Sequence, residues 1–320
     1  MDKNMIWAYF IQLSSHMYDD EYAEQRGWYL PQRYTENNET DIETWDTMMK
    51  FLAERNYNTV VIDLGDGVKY ESHPEISAPD AWTKDLLRQK LDEIRALGLE
   101  PIPMLNFSAA RDTWLKEYRR KISTPEYYQT ASDLIAEVCE IFGNPKLFHL
   151  GMDAEDASEQ KYHDLTIIRS DRLWWHDVKF LVAEVEKHGA RAWMYADYYW
   201  DHPDSFAENM PKSVLLTNFY LYCMRTYPTH REKYRAINAF EALDKLGFDQ
   251  VFIGTTWTIN WTVHHHRQVI CHSQKVCTPE HILGYGTNPK LHTTEENKLS
   301  LMHDAHRFYF VRQELLPESF

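Results

Sequence analysis

The sequence predicts an α/β fold, a single-domain (β/α)8 TIM barrel spanning residues 1–320. Three observations predict it. Short apolar runs alternate with amphipathic stretches from one end to the other, which favours parallel strands joined by helical crossovers. Eight such runs occur, which favours closure over an open sheet. No glycine-rich phosphate loop follows the first run, which argues against a dinucleotide-binding sheet. A length of 320 residues suits one such barrel, and no linker, repeat or low-complexity segment divides the chain.

The predicted strands are Met5–Leu13, Thr59–Leu64, Glu100–Asn106, Leu147–Asp153, Ala190–Asp197, Val214–Tyr220, Gln250–Thr256 and His281–Gly286. Several are bounded by Gly, Pro or Asn. Helical spacing covers Asp41–Arg55, Thr83–Leu97, Pro125–Phe142, Ser170–Lys187, Arg231–Leu246 and Thr294–Leu315. The first carries Ile42, Trp45, Met48, Met49 and Leu52 on one stripe. A short or irregular fifth helix follows Asp201.

The formal net charge of −15 argues against nucleic acid or an anionic membrane as partner, because both need basic patches. Neutral ligands such as sugars remain open. No stretch approaches the apolar length of a membrane span, and Met1–Asn4 leads into a strand-like run rather than a signal segment. The expected location is cytoplasmic; a trimmed secreted form reads the same way. Cys139 is expected as a buried thiol, and the spacing of Cys271 and Cys277 suits neither a redox pair nor a zinc knuckle. Most of the 11 Trp and 20 Tyr are expected in the core. Those at strand ends matter more, since flat rings stack on sugar faces.

The active site of such a barrel is built where strands end and the following loops begin. The run Phe148-His149-Leu150-Gly151-Met152-Asp153-Ala154-Glu155-Asp156 is the leading candidate. Alternation places Phe148, Leu150 and Met152 outward against helices, and His149, Gly151 and Asp153 inward. An inward Asp at a strand end is costly to bury unless hydrogen bonds or a solvated site support it. Glu155 and Asp156 suit loop ion pairs or a cap as readily as chemistry.

The string His149-Leu150-Gly151-Met152-Asp153 resembles the fourth-strand motif of family 20 glycoside hydrolases, the β-hexosaminidase type. That motif reads His, apolar, Gly, any residue, Asp, then Glu. The match is short. Segments Ser72-His73-Pro74-Glu75-Ile76 and Leu105-Asn106-Phe107-Ser108-Ala109-Ala110 are similar to family-20-like barrels of uncertain substrate. The resemblance implies hydrolysis of a β-linked sugar from its non-reducing end, without a cofactor. It also implies that Asp153 orients a 2-acetamido group that attacks the anomeric carbon, while a Glu at position 154 donates the proton. This chain has Ala154 there. Three explanations stand: a variant inactivated by replacing Glu with Ala, a proton donor relocated to Glu155, or a sugar-binding barrel without turnover. Loss of a placed acid removes about 10²–10⁴-fold in rate.

Candidate substrate-binding residues follow from the other strand ends. Asp197 and Tyr199 close the aromatic run Trp193–Trp200, in which Trp193 and Tyr195 read more readily as barrel core. Asn218 and Tyr220 share a face of the sixth strand, and Trp257 and Trp261 follow the seventh. Asp63, Asp66 and His73 follow the second, Asn106 ends the third, and His149 lies within the fourth. His264-His265-His266 is not expected to hold a metal, because adjacent side chains point apart. A metal-dependent hydrolase is the minor alternative, and no serine-hydrolase elbow occurs.

Overall fold

A computed structural model of the chain describes residues 5–14, 37–155, 157–160, 165–220, 231–255 and 262–319. Eight parallel strands close into a barrel in sequence order. They are β1 (Ile6–Gln12), β2 (Thr59–Asp63), β3 (Glu100–Met104), β4 (Leu147–His149), β5 (Arg191–Tyr195), β6 (Leu215–Tyr220), β7 (Gln250–Thr255) and β8 (Ile282–Asn288). Pairing of Ala8 with Gly286 joins β1 to β8 and shuts the ring. Around it lie α1 (Ile42–Ala53), α2 (Lys84–Ala96), α3 (Pro125–Ile141), α4 (Asp171–Lys187), α5 (Pro203–Asn209), α6 (Arg231–Lys245), α7 (Thr262–Val276) and α8 (Lys298–Leu315).

Local chemistry starts the helices where the sequence says they should start. Asp41 caps α1 by accepting from the Thr44 N–H at 2.7 Å, and Thr83 and Thr124 do the same for α2 and α3. Such side chains satisfy N–H groups that have no partner within the helix. Strand alternation then divides the apolar residues into two layers. Ala8, Phe10, Val61, Ile102, Met104, Trp193, Tyr195 and Leu215 fill the barrel. Trp45, Ile62, Phe148, Leu150, Met152 and Phe252 pack between strands and helices. Both expected faces of the fourth strand are thus realised.

Two local differences have physical causes. β4 stops at His149, four residues short of the expected Asp153, because Gly151 and Met152 take φ of +71° and +65° and leave the ladder. The helix α7, absent from the expected set, covers the His264–His266 tract. Its β-branched residues and histidines have weak intrinsic helix preference, so packing decides it. His266 is fully buried there, against Phe308 of α8. Among the described residues no helix is long and apolar enough to cross a membrane, and Cys139, Cys271 and Cys277 are free thiols.

Candidate active site at the carboxyl mouth of the barrel

Asp153 sits where the sequence places it, at the rim beyond β4, and it is buried. Asn106 Nδ2 donates to its Oδ1 at 2.9 Å. The Asn106 Oδ1 accepts the N–H groups of Ser108 and Met152 at 3.1 and 3.2 Å. One amide thus ties the loop after β3 to the loop after β4, and every bond agrees on which end is oxygen. Arg111 Nε lies 3.4 Å and Lys290 Nζ 3.6 Å from Asp153 Oδ2. Ser108 Oγ donates to the Asp153 carbonyl. Burial alone would raise the pKa of Asp153, but Arg111, Lys290 and the Asn106 bond outweigh it and hold the carboxyl below its ordinary range.

Asp197 opens the turn after β5. Its Oδ2 accepts the N–H of Ala154 at 2.7 Å, while its Oδ1 is buried with no hydrogen-bond partner. Burial and the charge of Asp153 push Asp197 upward. Asp63, inward at the end of β2, is pushed up to about 7 by burial and again by Asp153, with Lys290 opposing. Three carboxyls therefore share the mouth, and Asp153 is the one that ionises most readily. Charges that compete in a confined space separate in acidity, and such separation marks functional sites more often than surfaces.

Asp63 yields a stability test. An unfolded Asp titrates near 3.8 and the folded one near 7, so the folded chain holds an extra proton between those values. Stability attributable to this proton is complete below about pH 4 and lost as pH rises through about 7. Asp63→Asn removes the titration. The variant is expected to match the parent near pH 4 and to exceed it by on the order of 3 kcal/mol at pH 8, measured by urea unfolding at both pH values. Equal differences at the two values would contradict it.

The other candidates separate into those at the mouth and those elsewhere. His149 lies deeper, in the barrel core, with ring centroids 4.7–5.6 Å from Phe10, Trp193 and Tyr195. Its Nδ1 accepts the Gly151 N–H at 3.0 Å, and burial lowers its titration to about 3, so the ring is neutral. It supports the rim from below. Glu155 is engaged: Arg169 Nη2 lies 2.6 Å away, and the Ala109 N–H donates to it at 3.2 Å. A relocated proton donor at Glu155 is disfavoured by this pairing. Asp66 is fully buried between Ser14 Oγ at 2.7 Å and Lys116 Nζ at 2.5 Å. His73 bridges Glu75 and Asp133 on α3, which fixes its loop.

Asn218 corrects the reading of the sixth strand. Leu215 and Phe219 point into the barrel, so Asn218 points outward. It donates to Gln250, which in turn donates to the Phe240 carbonyl on α6. The alternation was legible, but not which phase faced in, because both faces of a barrel strand are apolar. Tyr199 packs on Phe206 of α5. Among the described residues, its neighbour Trp200 lies nearer the mouth, with its ring 5.1 Å from the inward Phe219 and a buried indole N–H lacking a partner. The Tyr220 side chain, Trp257 and Trp261 lie outside the described residues. Arg111, Lys290 and Asn288 were not among the expected residues. Asn288 donates to the Tyr195 hydroxyl at 3.0 Å. The sequence Asn288-Pro289-Lys290, which ends the eighth strand and opens its loop, was the available signal.

No protein-family profile matches the chain, and no curated protein matches it in sequence. Solved structures do match in shape. A family 20 exo-β-N-acetylglucosaminidase from Vibrio harveyi, bound to N-acetylglucosamine, superposes with a TM-score of 0.62 at 12% identity, covering 98% of this chain and 57% of that one. Dispersin B superposes with a TM-score of 0.63 at 12% identity, covering 96% and 98%. A Streptomyces plicatus β-hexosaminidase mutant with bound N-acetylglucosamine gives 0.59 at 12% identity, covering 95% and 63%. The chain spans little more than half of the Vibrio protein and nearly all of dispersin B. With the closed eight-stranded barrel, these likenesses show that the chain has the fold of the family 20 glycoside hydrolases.

Proposed function

We propose that the chain is a glycoside hydrolase that removes a β-linked 2-acetamido sugar from the non-reducing end of its substrate. The supporting observation is the paired state of Asp153 and Asp197. One carboxyl is held ionised by Arg111 and Lys290, while the other is pushed towards its protonated form beside it. Glycoside cleavage needs a proton at the leaving oxygen and a negative or polar group to support the attack at the anomeric carbon. In a substrate-assisted reaction the attacking atom is the acetamido oxygen. An ionised Asp153 then holds the acetamido N–H and stabilises the charge that develops on that group. Trp200, beside the inward Phe219, supplies a ring for stacking on a sugar face. The N-acetylglucosamine complexes among the similar structures agree with this sugar class.

The test is turnover of aryl β-glycosides with and without the 2-acetamido group. Cleavage is expected of the acetamido sugars alone. Asp153→Asn is expected to reduce kcat/KM by about 10²–10³-fold, since it removes one preorganised electrostatic contact. Cleavage of plain glycosides at equal rates would overturn the assisted route. A second reading, a sugar-binding barrel without turnover, is favoured by one observation: Ala154 has no carboxyl to offer. It requires calorimetric binding of N-acetylglucosamine with no product, even after Ala154→Glu.

A further inference from the structure

The geometry points to Asp197 as the proton donor of this site, standing in for a side chain at position 154. This deepens the glycosidase reading and rests on it. The backbone of residue 154 and the Asp197 carboxyl are in direct contact, through the 2.7 Å bond from the Ala154 N–H to Oδ2. That bond uses one carboxyl oxygen and fixes the direction of the other. Oδ1 is left buried and without any hydrogen-bond partner. A buried carboxyl oxygen without a protein partner is costly, and in native structures such an atom is met by water, an ion or a ligand, or it serves catalysis. Protonated, Oδ1 carries an O–H that needs an acceptor, and a glycosidic oxygen is one. Ala154 puts no second carboxyl beside this one, and it sits at φ +58°, a backbone strain of the kind that collects at working sites.

The surroundings keep the proton in place. Among the described residues, the charged or titratable groups facing Asp197 are Asp153 from the loop after β4, Lys290 from the loop after β8, and Tyr195 from β5. Burial and Asp153 favour the protonated acid, and Lys290 opposes them. Glu155, two residues beyond Asp153, is spent on Arg169.

The Asp197 proton moves to the glycosidic oxygen while the bond from that oxygen to the anomeric carbon breaks, and its electron pair stays on the oxygen. The aglycone leaves as an alcohol. The acetamido oxygen forms the new bond to the anomeric carbon. Water then replaces the acetamido oxygen, and its proton returns to the Asp197 carboxylate.

The experiment compares the parent chain, Asp197→Asn and Ala154→Glu on two acetamido glycosides, one with a dinitrophenol leaving group and one with unsubstituted phenol. Asn is isosteric and still accepts the Ala154 N–H, and thermal unfolding checks that the variant folds. Asp197→Asn is expected to lose about 10²–10⁴-fold in kcat/KM on the phenyl sugar and less than about tenfold on the dinitrophenyl sugar, whose leaving group needs no proton. The alkaline limb of the parent pH profile is expected to vanish in the variant. Equal losses on both sugars, or no loss, overturn the assignment while leaving the glycosidase reading intact. So does a parent that cleaves only the dinitrophenyl sugar and gains about 10²-fold or more on the phenyl sugar with Ala154→Glu. No cleavage of either sugar by any of the three proteins fails the glycosidase reading itself, and the assignment falls with it.

Discussion

Gly151→Ala is expected to cost about 3–5 kcal/mol of folding stability, combining a left-handed backbone penalty with overpacking. Gly151 has φ +71°, where a side chain is strained whatever the space around it. The space is also closed. A β-carbon there would stand 2.0 Å from Asn106 Oδ1, 2.2 Å from its Cγ and 2.7 Å from its Cα. Rotating the amide away relieves part of the clash but not the approach to the backbone. It also breaks the Asn106 bond to Asp153 and the two N–H bonds to Oδ1. Urea unfolding measures the first effect. Loss of N-acetylglucosamine binding by calorimetry, below the unfolding transition, measures the second. A loss under about 1 kcal/mol would show that the rim between β4 and β3 is not built as described.

Arg169→Met is expected to destabilise by about 3–5 kcal/mol, the cost of leaving buried charge unpaired. Arg169 is buried, with Glu155 at 2.6 Å and Asp177 at 3.1 Å. Burial alone would disfavour its charge, but Glu155, Tyr127 and Asp177 more than offset this. Asp177 also receives the hydroxyls of Ser123 and Tyr128, both at 2.6 Å. Methionine keeps the apolar stem of arginine without its guanidinium and leaves two buried carboxylates without their cation. Adding Glu155→Gln to Arg169→Met is expected to restore part of the loss, because one anion is then gone. Guanidinium unfolding of the single and double variants decides this. A single variant within 0.5 kcal/mol of the parent would mean that the pair is solvated rather than buried. The same pairing anchors the loop that follows Asp153, so the single variant is also expected to weaken sugar binding.

The architecture was open to reading because barrel periodicity is local. Each of the eight strands was expected within a few residues of where it lies, since apolar runs and caps act over short stretches. The long alternation through Phe148, Leu150 and Met152 even separated the outer layer from the inner one. Asn218 shows the limit of that pattern. With both faces apolar, only closure of the ring chose which residues turn inward. Helix α7 shows another, because its residues are helical through burial against α8 rather than by preference.

Asp153 marks the same division within the site. Its type and its position after the fourth strand were enough to single it out, because an inward carboxyl at a strand end must be solvated or bonded. Its charge state was not legible. That depends on Arg111, 42 positions earlier by residue number, and Lys290, 137 later, both brought to its side by closure of the barrel. The role of residue 154 follows the same rule. The sequence alone determined that no carboxyl stands there. Only the tertiary structure decided that Asp197 rests on its backbone N–H, because a contact between two strand ends exists only once the strands are neighbours.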